Sequence, residues 1–113
     1  MHEYSIVQAL ITRVEQEARS RGAQAVHRVR VGLGELAGVD PTLLSTAYET
    51  FRPRTICANA ELTLRQVAAA WSCPDCGIAI AAGAPLRCPG CAGPARRVQG
   101  DELVLESLEL EVP

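Results

Sequence analysis

Two matched cysteine knuckles constrain this chain more than anything else in it. They read Cys73-Pro74-Asp75-Cys76-Gly77 and Cys88-Pro89-Gly90-Cys91-Ala92-Gly93, with eleven residues between the pairs. Two thiolates at i and i+3 on a tight turn grip one metal ion from one side, and a second such turn closes the tetrahedron. Zn²⁺ takes four thiolates in that geometry and keeps no open coordination position. Such a site builds structure and does no chemistry of its own, so a function must be sought elsewhere in the chain.

Other readings of the same cysteines stay open at this point. Two disulfides would need an oxidising compartment, and no secretory leader is read at the start of the chain. A redox C-x-x-C is expected beside a βαβ core in an electropositive setting; here two equivalent pairs face each other in a Gly- and Pro-rich segment. Iron in a rubredoxin-like site fits the same four ligands. The fifth cysteine, Cys57, has no C-x-x-C partner and reads as a small buried hydrophobe.

The 113 residues are 48% hydrophobic but only 4% aromatic, so the core is expected to be aliphatic. All eleven basic residues are arginine, and the net charge of −2 argues against broad nucleic-acid binding. The longest apolar run, Ile78 to Leu86, is too short for a bilayer and is broken by Gly83 and Pro85. A cytoplasmic chain without a membrane segment is expected.

Ile6, Val7, Leu10, Ile11, Val14 and Ala18 recur at helical spacing, with Glu15–Arg19 and Glu17–Arg21 as i,i+4 pairs and Gly22 as a stop. Residues 26–33 switch to period two: Val29, Val31 and Leu33 face inward, Arg28 and Arg30 outward. That alternation sets His27 beside the inward residues, as a structural histidine. Asp40-Pro41 reads as an N-cap and first helical residue, and Leu43, Leu44, Ala47, Tyr48 and Phe51 as the apolar face of a second helix. A strand follows near Leu62 to Val67. The last strand points Leu108, Leu110 and Val112 inward, and Glu109 and Glu111 outward, across from Arg28 and Arg30. The fold class is therefore α+β: two helices packed on a small three-stranded mixed sheet, with an inserted four-cysteine zinc-ribbon module. Residues 1–70 plus 100–113 form one domain, and residues 71–99 form the ribbon, inserted between the last two strands.

Met1-His2-Glu3 is the second feature with chemical content. An α-amine, the next amide nitrogen once deprotonated, and the imidazole of residue 2 form a chelate; Glu3 adds a carboxylate oxygen or another amide nitrogen. Tetragonal N/O donor sets suit Ni(II) or Cu(II). The chelate needs Met1, and a side chain as large as His at position 2 favours its retention. Loose termini carry such residues with no role at all.

Taken together, Met1-His2-Glu3 opening a long helix, Val29-Arg30-Val31-Gly32, Glu35-Leu36-Ala37-Gly38-Val39-Asp40-Pro41, the two knuckles and Gly100-Asp101-Glu102-Leu103 before an acidic strand are similar to the HypA/HybF family over essentially the whole chain. The resemblance implies a nickel metallochaperone for maturation of [NiFe]-hydrogenase, and in some organisms urease, and not an enzyme. Carried over by position, Met1, His2 and Glu3 match the nickel site and Cys73, Cys76, Cys88 and Cys91 the zinc site. Zn(II) is then structural and Ni(II) transient cargo. Implied partners are a HypB-type nickel GTPase and the immature hydrogenase large subunit, with no nucleic acid and no membrane; open edge strands leave a homodimer possible. The chain departs from the family in carrying Arg54-Thr55 where Gly-Thr is common, and no histidine lies in residues 73–98. The alternative is a zinc-ribbon adaptor or nucleic-acid-binding module without a nickel role. A nucleic-acid module wants a basic face interleaved with aromatics; here Arg87, Arg96 and Arg97 stand with Asp75, and Trp71 lies just outside. A thiol oxidoreductase requires accessible thiols of low pKa.

Overall fold

In a computed structural model, residues 2–81 and 83–113 are described. Helix α1 spans His2–Ser20, strand β1 Ala25–Gly34, helix α2 Pro41–Phe51, and a 3₁₀ turn Arg52–Arg54. Strands β2 (Glu61–Val67), β3 (Ala70–Ser72), β4 (Ala79–Ile80), β5 (Arg96–Gln99) and β6 (Leu103–Glu111) follow. β1 is the centre of a mixed sheet of order β2-β1-β6, parallel to β2 and antiparallel to β6. A second sheet, β4-β3-β5, is antiparallel and holds the cysteine segment.

One aliphatic core joins the helices to one face of the first sheet. Val7, Leu10, Ile11, Val14 and Ala18 of α1 meet Leu44, Ala47 and Tyr48 of α2 and Val26, Val29, Val31 and Leu33 of β1. Tyr4 meets Phe51 edge to face at 5.2 Å, tying the two helices near their outer ends. The buried Tyr48 hydroxyl donates to the Ala60 carbonyl at 2.9 Å, and Arg52 donates to the same oxygen at 2.7 Å. Gly22, at φ +65°, ends α1: Ala23 N donates to Ala18 O and Gly22 N to Arg19 O, closing off two orphan carbonyls. Asp40 caps α2 by accepting from the amides of Thr42 and Leu43, with Pro41 at the first helical position.

Several details differ from the sequence reading. Glu17 pairs with Arg13 at 3.6 Å, one turn back; Arg21, just past the end of α1, donates to the Glu17 carbonyl through its backbone amide. Leu43 is 55% exposed, so the apolar face of α2 narrows to Leu44, Ala47 and Tyr48 with Phe51 at its edge. A register shift between Val26 and Arg28 turns His27 outward, where its ring meets Glu111 at 2.9 Å. Val112 lies past the end of β6 and is 56% exposed. Arg28 stands between Glu61 and Glu109, as cross-strand pairing suggested, whereas Arg30 is opposed by Thr63 and Ser107.

Candidate metal centre

Both knuckles are built by one backbone pattern. In the first, Cys73 N donates to Ile78 O, Gly77 N to Cys73 O, and Cys76 N to Cys73 Sγ. In the second, Cys88 N donates to Gly93 O, Ala92 N to Cys88 O, and Gly90 N to Cys88 Sγ. Pro74 and Pro89 stiffen the same position of each turn. Gly77 takes φ +70° at the fifth position of the first knuckle; at the equivalent position of the second, Ala92 takes φ +58°. Ala92 is the one non-glycine residue with positive φ among those described.

The turns bring Cys73, Cys76, Cys88 and Cys91 together, with all four sulfurs within 4.8 Å of one another and Cys73 and Cys91 3.6 Å apart. Four sulfurs about 2.3 Å from one tetrahedral ion stand about 3.8 Å from each other. The cluster therefore has the size of a metal cage, and the 3.6 Å separation is far from a bonded S–S distance of about 2.05 Å. Cys73 and Cys88 are buried and Cys76 and Cys91 exposed, so the cage is open to solvent on one side. Amide donors at Cys91 and Gly90 lower the Cys88 thiol to about 7. Hydrogen bonding to the Cys91, Cys88 and Cys73 thiols raises that of Cys76 to about 12. Four like charges cannot share this volume unaided, and a divalent cation is the group that lets all four ionise. No histidine joins the cluster among the described residues, so the donor set is all sulfur. Cys57 lies elsewhere, fully buried between α2 and β2, and burial pushes its thiol up.

At the other end, Met1 lies outside the described residues. His2 and Glu3 sit on the first turn of α1. The His2 ring is exposed, with Nε2 3.0 Å from the Gly38 carbonyl and 3.3 Å from a Glu3 carboxylate oxygen. Glu3 is buried, at 7% exposure, and its carboxyl is held below the usual carboxylate range, first by its own backbone amide and further by the neighbouring His2. Sequence reasoning placed both residues on the helix but missed Gly38, whose only sequence signal is a glycine in the loop after β1.

That loop also organises the junction between the two sheets. Glu35 N donates to Val67 O, Leu36 N to Gly100 O, and Gly34 N to Glu102 O. The Glu35 carboxylate accepts from Ala69 N at 2.6 Å. No helix among the described residues is long and apolar enough to cross a membrane.

The family model described as "Hydrogenase/urease nickel incorporation, metallochaperone, hypA" matches residues 1–110. A hydrogenase maturation factor HypA of Aquifex aeolicus is 40% identical over 114 residues, covering 99% of this chain and 99% of that one. The HypA of Shewanella oneidensis is 42% identical over 113 residues, covering 98% of this chain and 96% of its own length. Among solved structures, the solution structure of the Ni metallochaperone HypA from Helicobacter pylori matches with a TM-score of 0.77 at 34% identity, covering both chains completely. A second HypA solution structure matches with a TM-score of 0.83 at 34% identity, over 100% of this chain and 98% of that one.

Proposed function

Because the chain belongs to the HypA family of hydrogenase nickel-incorporation metallochaperones, we propose that it carries Ni(II) at its amino terminus and hands it on during hydrogenase maturation. The observation that carries this reading is the family match over residues 1–110, which takes in both Met1-His2-Glu3 and the four cysteines. The α-amine of Met1, the amide and imidazole of His2, and an amide or carboxylate donor of Glu3 form the nickel site. Cys73, Cys76, Cys88 and Cys91 hold a structural Zn(II), which supplies folding free energy to residues 71–99. Residues 1–70 and 100–113 form the nickel-binding domain. The size of the sulfur cluster and its all-thiol donor set support the zinc assignment.

Transfer follows from exposure. The His2 ring is exposed to solvent, so a receiving site can approach and exchange ligands one at a time. Four thiolates with no open coordination position, as at the cysteine cluster, would retain their ion. Copper outcompetes nickel at an N-donor site by the usual divalent order, so discrimination rests on metal supply and on the partner. Those partners are a HypB-type nickel GTPase and the immature hydrogenase large subunit, in the cytoplasm, with no catalytic step on this chain. The family description also names urease, which is a second client of the same chemistry.

Calorimetric and absorbance titration of Ni(II) into protein with its native terminus tests the proposal. His2→Ala and a version extended before Met1 run alongside, with zinc content checked in each. Native protein is expected to bind about one nickel per chain, and both variants to lose it with zinc intact. Equal binding by all three would place nickel elsewhere and leave a zinc-built adaptor.

A further inference from the structure

We propose that the backbone carbonyl of Gly38 is a positioning group for the metal-binding imidazole of His2, fixing the proton on Nε2 and leaving Nδ1 as the donor. The proposal rests on the amino-terminal nickel reading. Its geometric basis is that, among the described residues, the two polar groups recorded against the ring face the same nitrogen: the Gly38 carbonyl at 3.0 Å and the Glu3 carboxylate at 3.3 Å from Nε2. A carbonyl oxygen and an ionised carboxylate only accept hydrogen bonds. A neutral imidazole carries one proton, and the nitrogen facing two acceptors must be the one that bears it. The lone pair is therefore on Nδ1.

The consequence is a chelate of the right size. Nδ1 closes a six-membered ring with the amide nitrogen of its own residue, while Nε2 points away from that amide and cannot reach it. A partner that fixes the tautomer and plane of a ligating histidine raises metal affinity, and its loss typically costs roughly 10- to 100-fold. The carbonyl is on firm support. Leu36 N donates to Gly100 O at 2.7 Å, Glu35 N to Val67 O at 2.9 Å, and Asp40 caps α2 on the far side of the loop. Gly38 takes φ +73°, and a Cβ there would meet nothing within 4 Å, so only backbone conformation ties this position to glycine.

The test reads the ring directly. In nickel-free, zinc-loaded protein with labelled histidine, long-range proton–nitrogen spectra report how fully His2 is protonated at Nε2, against a free peptide of the same amino-terminal sequence. The protein is expected to exceed the peptide; equal fractions overturn the proposal without any variant. Nickel titration of Gly38→Val, which disfavours positive φ, is expected to show affinity reduced roughly 10- to 100-fold and a tautomer balance moved toward that of the peptide. Gly38→Asn tolerates the left-handed conformation and is expected to retain both. Gly38→Val binding nickel as the native protein does, while His2→Ala does not, removes the positioning role and leaves the nickel site standing. Equal binding by native protein and His2→Ala removes both.

Discussion

The two knuckles differ at one residue that matters energetically. Gly77 occupies its left-handed position freely, but Ala92 at φ +58° carries a Cβ where L-residues pay about 1–2 kcal/mol. Ala92→Gly removes that strain and gives back part of it as added freedom in the unfolded chain, for a net gain of roughly 0.5–1 kcal/mol. Because folding and metal binding are coupled in such a module, the gain is expected as roughly two- to fivefold tighter metal retention against a competing chelator. No change, or a loss, would mean that the second turn is set by something other than this backbone angle. At the same scale, two glycines of β1 show what spacing alone cannot reveal. A Cβ on Gly32 would meet the Glu106 carboxylate at 2.7 Å, a flexible tip that can move. A Cβ on Gly34 would fall onto the Gly100 carbonyl, which is backbone and cannot. The sequence shows two glycines at alternate positions of a strand; which of them is replaceable depends on a segment far along the chain.

Strand β6 shows where periodicity holds and where it fails. Leu108 and Leu110 alternate inward as the pattern demands, but a register shift opposite Arg30 and Val31 leaves Glu106 as an extra residue, so Leu105 and Leu108 both face the core. The same device at Val26–Arg28 turned His27 outward. A bulge reverses facing without any signature in apolar spacing, and so the elements were legible while these side-chain orientations were not. The four-cysteine cluster was fully legible, because ligand identity and spacing are local; the β4-β3-β5 sheet beside it was not, since two- to four-residue strands carry too little pattern. The bulged Glu106 reaches across β1 to Arg65 on β2 in a two-pronged ion pair over Gly32. Arg65 holds the Glu106 carboxyl below its ordinary range. A depressed folded-state value means that the pair stabilises above the unfolded carboxylate range and loses that contribution as pH falls through the folded value. In urea unfolding, Glu106→Gln is expected to be less stable than native protein at about pH 7, with the difference closing at strongly acid pH. A gap that persists in acid would assign the loss to packing and not to charge.

At the scale of the whole molecule, the protein is elongated, 55 by 30 by 16 Å, with a radius of gyration of 17.8 Å. A compact domain of this length has roughly 13 Å. The extra length reflects two sheets with separate interiors: an aliphatic core under the first, and a sulfur cluster beside the second. Removing metal with a strong chelator is therefore expected to act on one end. Amide spectra of residues 73–98 should collapse as the freed thiolates take up protons, while β1 and both helices keep their dispersion. Loss of the whole spectrum would show a single cooperative unit. The order β2-β1-β6 gives a metal held by the four cysteines a bearing on how the first sheet closes. Residues 68–102 separate two strands that must flank the same neighbour. Closing so long an excursion costs chain entropy, and a clip between Cys73 and Cys91 cuts the effective length about twofold, recovering roughly 0.6 kcal/mol. With a metal held there, the last strand would return to β1 across that shortened loop, so the cysteines bear on how easily the far edge of the first sheet closes.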